Sequence, residues 1–132
     1  VMPEKKTAET ELQDLAKSLE SQLSAMQGEY QASVQDYQSN EATYTDLVKQ
    51  DKIAEIQGLE QRIQSFQQNA QNALQQKEQE LLEPILSKAR TAIEDVAKEG
   101  NFTYIFDSSM GSILYADESE NVMTLVKKKL GL

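Results

Sequence analysis

Residues 12–37 read LQDLAKSLESQLSAMQGEYQASVQDY. Leu12, Leu15, Leu19, Leu23, Met26, Tyr30, Val34 and Tyr37 are separated by steps of 3, 4, 4, 3, 4, 4 and 3. Steps of three and four put all eight on one helical face. The spacing repeats every eleven residues, a period that gives a straight or slightly right-handed packing seam. The helical composition extends well beyond this stretch. Between Glu4 and Glu99 the only proline is Pro84 and the only glycines are Gly28 and Gly58. Ala, Leu, Glu, Gln and Lys, all good helix formers, fill most positions. Pro3 suits the first helical position, where no amide bond is lost. Two long helices are therefore predicted, Glu4 to about Asp46 and about Asp51 to Glu99. At about 1.5 Å of rise per residue each spans roughly 60–70 Å. A helix that long has to bury its stripe against another of its kind, so residues 4–99 form an antiparallel hairpin with its tip at about 39–52.

The second helix carries Ile53, Ile56, Leu59, Ile63, Phe66, Ala70 and Ala73, again in steps of three and four. The stretch Gln61 to Gln79 is glutamine-rich, and the periodic apolar residues inside it make it a solvated helix face. From Leu81 the apolar face thickens through Leu82, Ile85, Leu86, Ala89, Ile93 and Val96, with Pro84 expected to kink the helix. Gly100-Asn101 supplies a left-handed end. Phe102-Thr103-Tyr104-Ile105-Phe106 is aromatic and β-branched, hence a strand with Phe102, Tyr104 and Phe106 on one face. After the turn chemistry of Asp107 to Gly111, Ser112 to Ala116 reads as a second strand pairing with the first. A short helix then runs to about Leu130, before Gly131. A two-stranded hairpin is barely stable alone. More strands have to come from an N-terminal segment, from other subunits, or from both. The chain opens at Val1 without an initiator Met, so removal of the natural N-terminus is expected.

The net charge of −9 argues against a nucleic-acid partner, which normally needs a basic patch, and against simple adhesion to anionic lipid. The chain has no Cys and no His, which removes disulfides, the commonest metal ligands and the commonest general base. No run approaches the length of a membrane span. With 39% hydrophobic residues and a mean hydropathy of −0.61, the composition suits a coiled coil better than a compact enzyme. No cofactor is expected and nothing supports catalysis. The carboxylate pairs Glu78/Glu80 and Glu94/Asp95 read as solvated helix faces. Lys127-Lys128-Lys129 complements the negative end of the last helix, with an anionic surface as the other reading.

The stretches Leu81-Leu82-Glu83-Pro84-Ile85, Ala92-Ile93-Glu94-Asp95-Val96-Ala97 and Phe102-Thr103-Tyr104-Ile105-Phe106-Asp107 give this layout a specific likeness. With Met2-Pro3-Glu4, Asn121-Val122 and Leu125-Val126-Lys127, the chain resembles the Skp/OmpH family of periplasmic chaperones over essentially its whole length. The resemblance implies an α+β, mostly α chain: a helical-hairpin arm on a small β-barrel body formed by trimerisation. It implies a periplasmic, ATP-independent holdase for unfolded outer-membrane proteins. The chain departs from the family in three ways. It lacks the strand before the first arm helix. Met123 replaces a usual threonine, leaving Asn121 as a possible cap for the last helix. The best-studied members are basic, whereas Glu4 to Asp46 alone has nine acidic and three basic side chains here. This acidic charge argues against carrying over the family's lipopolysaccharide site or charge-driven client capture, and leaves open whether lipopolysaccharide binding is retained.

Within the arm, Tyr30, Tyr37 and Tyr44 recur every seven residues, and Met26 and Phe66 accompany them. Two roles fit these five: packing in the seam, or contact with client side chains, to which Met is well suited. Phe102, Tyr104, Ile105, Phe106, Ile113, Leu114 and Tyr115 are the expected oligomerisation body, within a basal part at 100–132 that joins the foot of the arm. The expected partners are unfolded outer-membrane proteins and two further copies of the chain, with no nucleic acid and no stable membrane insertion. The competing reading is a prefoldin-like or other coiled-coil adaptor or scaffold of the cytoplasm.

Overall fold

The computed structural model describes every residue except Val1 and Ser112. Helix α1 covers Pro3–Asn40, α2 covers Asp46–Glu99 and α3 covers Met123–Lys129. Single 3-10 turns form at Glu41–Thr43, Ser108–Met110 and Glu118–Glu120. Helix α1 thus stops at Asn40, short of Asp46, and α2 begins at Asp46, ahead of Asp51. The reason is local capping. Thr45 Oγ1 accepts from the Val48 amide at 3.4 Å, which starts α2 early. Thr43 Oγ1 donates to the Asn40 carbonyl at 2.7 Å and closes the end of α1. Helix α2 continues through Pro84, so the helix absorbs one missing backbone donor.

The chain divides into two compact units, Thr10–Glu78 and Val1–Glu9 with Gln79–Leu132. Within Thr10–Glu78, Lys52 pairs with Asp36 at 3.4 Å and Lys77 with Glu11 at 3.1 Å. The residue numbers of both pairs sum to 88, which fixes an antiparallel register without slippage. Every α1 seam residue from Leu12 to Tyr37 is half-buried, because one partner helix covers only one side of a stripe. On α2, Leu59 is fully buried, at 1% exposure.

The basal unit is organised by Ala92, Val96 and Val126, with Phe102, Ile105, Val122 and Leu130 packed against them. Helix α2 ends in a Schellman motif: the Phe102 amide donates to the Ala97 carbonyl at 2.9 Å and the Asn101 amide to that of Lys98 at 3.4 Å. Asn101, at φ 50°, takes the left-handed position. Gly100 is needed for another reason, since a Cβ there would run into the Phe102 ring. Helix α3 ends the same way, with Leu132 bonded to Lys127, Gly131 bonded to Lys128, and Gly131 at φ 73°. Asn121 Oδ1 accepts from the Met123 amide at 3.0 Å just ahead of α3, but the N-cap position itself is Val122, which has no side-chain cap bond. Lys129 pairs with Glu99, and Lys88 with Glu4.

The expected β-hairpin does not form within this chain: among the described residues there is no strand. Residues 102–106 run irregularly, and the second expected strand includes Ser112, which lies outside the described residues. A strand requires a partner for its ladder, and a lone pair is marginal. Hydrophobic packing decides the path instead. Phe102 and Ile105 turn inward against Val96 and Val126, so strict alternation is lost. Tyr104 and Phe106 stay outside, with ring centroids 5.9 Å apart. Phe102 therefore does not share their face.

Candidate functional site

The five arm residues fall into two groups and one single residue. Tyr37 and Tyr44 meet at the reversal with ring centroids 6.4 Å apart. The Tyr44 hydroxyl donates to Asp36 Oδ2 at 3.0 Å, and Tyr37 donates to Glu41 at 3.4 Å. Asp36 is the hub of this region. Its other oxygen accepts from Asn40 Nδ2 at 2.9 Å, and Lys52 approaches from α2. The Tyr44 hydroxyl, with Lys52 and Asn40, holds the Asp36 carboxyl below its ordinary range. Partial burial and the Asp36 charge push the Tyr44 phenol up, and Asp36 raises the Lys52 ammonium. Both tyrosines thus have a structural task at the reversal. Spacing could not reveal Asp36 as their anchor, because the bond reaches eight residues across the turn.

Met26 and Phe66 come together farther along the arm, where they line an open groove of about 470 Å³ between α1 and α2. Gly58, Gln61, Arg62, Ser65 and Asn69 complete its lining. Sequence periodicity singled out the two apolar members but not Gly58 or Arg62, which lie outside the apolar stripe. Tyr30 is half-buried on α1.

The basal unit exposes several large apolar side chains. Of the seven expected body residues, Phe102, Ile105 and Ile113 are partly buried. Tyr104, Phe106, Leu114 and Tyr115 are 74%, 70%, 98% and 83% exposed. Leu82, Leu86 and Ile93 form a further uncovered stripe on α2, at spacings of four and seven. The thickened apolar pattern after Leu81 was its sequence signal, because it exceeds what one partner helix can cover. Asp107 and Asp117 each accept from the amide and hydroxyl of the serine two residues on, closing the two 3-10 turns beside this surface.

Among the described residues no cluster of His, Cys, Asp or Glu could hold a metal ion, and no helix is long and apolar enough to cross a membrane. The two long helices α1 and α2 define a helical-hairpin protein. The chain belongs to the outer membrane protein (OmpH-like) family, whose family model matches residues 1–130. No curated protein matches the chain.

Proposed function

We propose that this chain is a holdase chaperone of the periplasm, which binds unfolded outer-membrane proteins without ATP and works as a homotrimer. The observation that carries the reading is the family match over residues 1–130, on a chain whose arm keeps its apolar stripe half-exposed. Half-exposed Met, Tyr and Phe among polar residues make many weak contacts and no single tight one. That is the surface a protein needs to hold many unfolded sequences and release them passively. Met26, Tyr30 and Phe66 are the client-contact residues in this reading, while Tyr37 and Tyr44 shape the end of the arm.

In the same reading Tyr104, Phe106, Leu114 and Tyr115 pair with their counterparts in other copies, over Phe102, Ile105 and Ile113. The strands that 102–106 and 113–116 lack in one chain are then completed by association. The test is aggregation suppression of an unfolded outer-membrane β-barrel protein without nucleotide, alongside mass determination by analytical ultracentrifugation. Delayed aggregation and a threefold mass are expected. An inert protein, or a stable folded monomer at micromolar concentration, would overturn the reading.

A further inference from the structure

The groove between α1 and α2 combines features that select a particular kind of client segment. Its apolar walls are Met26 and Phe66, both half-buried. Gly58 leaves its floor open: a Cβ placed there would meet nothing within 4 Å. That glycine sits inside a long helix, where it is destabilising by about 1 kcal/mol relative to alanine. No close packing demands it, so the open floor is the feature it supplies.

Arg62 stands beside this opening. Among the described residues it forms no ion pair, although the arm is strongly acidic. The cause is in the sequence. Its helical neighbours three and four residues away are Leu59, Ser65, Gly58 and Phe66, none of them an acid. Gln61 and Asn69 add amide groups able to bond an extended backbone. A guanidinium with no ion pair among the described residues, lining an apolar slot on an acidic arm, puts a positive charge beside that slot. The complement is an apolar ring followed by a carboxylate.

We propose that the groove of Met26, Gly58, Arg62 and Phe66 takes an aromatic side chain of an unfolded client segment, with Arg62 receiving an adjacent Glu or Asp side chain. This deepens the holdase reading and rests on it. It assigns the arm a preference for aromatic–acidic neighbours over aromatic–basic ones, despite the chain's own negative charge.

The test uses the full chain and short peptides with blocked ends, so that no terminal carboxylate is present, differing only in Phe-Glu, Phe-Gln or Phe-Lys. Binding is followed by amide NMR shifts. Exposed ion pairs contribute about 0.2–1 kcal/mol, so Phe-Glu should bind up to about fivefold tighter than Phe-Gln at low salt. Arg62→Gln should erase that preference, while Arg90→Gln keeps it. Gly58→Leu should weaken all three peptides without loss of helicity, because it fills the floor with a better helix former. Equal binding of the three peptides, or unchanged binding by Gly58→Leu, would overturn the proposal. If the protein suppresses aggregation but shows no peptide preference, only the groove assignment falls. If it shows the preference but suppresses nothing, the holdase reading falls and takes with it the role given to the groove.

Discussion

Leu59→Ala is the sharpest probe of how the arm is held. Leu59 is 1% exposed, whereas every α1 residue of the seam is half-buried. Truncating a buried Leu costs about 2–5 kcal/mol, with the lower end where the surroundings can collapse into the gap. A unit only two helices thick collapses readily, so a loss of about 2–3 kcal/mol is expected. At about 1.4 kcal/mol per tenfold, this raises the open fraction roughly 30-fold to 140-fold. Urea denaturation followed by circular dichroism gives the stability. Hydrogen exchange should show the acceleration between Ile53 and Phe66, with little change from Ala92 to Val96 in the other compact unit. Ile53→Ala, at a position 42% exposed, is the matched control and should lose under about 1 kcal/mol. A loss below 1 kcal/mol for Leu59→Ala, or equal losses for the two variants, would show that the arm's stability is not focused at Leu59.

Ile105→Asp places an unpaired charge against Val96 and Val126, which costs several kcal/mol, and should dissolve the basal unit in near-UV dichroism while leaving most helicity intact. Gly28→Ala should stabilise the arm by about 1 kcal/mol in urea, since a Cβ there meets nothing within 4 Å. The lowered Asp36 carboxyl stabilises the reversal fully above its ordinary value of 3.8, and that support is lost as pH falls through its lower folded value. Amide protection at residues 36–52 should thus hold down to about pH 4 and fall below it, a step that Asp36→Asn removes.

The long helices were legible because their periodicity repeats over many turns, and tertiary packing follows the same face. Their ends were less so. The Thr45-Asp46 start of α2 is an ordinary capping signature, but Leu47 and Val48 obscured it by resembling a continuation of the first helix, and Leu47 ends up 69% exposed. The strands at 102–106 and 112–116 were read from side-chain type alone. Propensity describes a fit to a pleated surface and does not supply the surface. The groove was half legible: Met26 and Phe66 belong to the stripe, whereas Gly58 and Arg62 acquire meaning only when two helices are set side by side.

The tied-down reversal at Asp36 also decides where the chain is vulnerable to cutting. A protease has to draw several residues into an extended form before it can cleave. Glu41–Thr45 offers little slack, with a 3-10 turn and both flanking helices anchored by Tyr44, Asn40 and Lys52. Phe106, Leu114 and Tyr115, by contrast, lie outside any helix and project into solvent. Chymotrypsin should therefore nick the isolated chain there first and leave α1 and α2 joined. Any assembly that covers those side chains would protect the cut, which makes the rate of nicking a direct count of uncovered subunits.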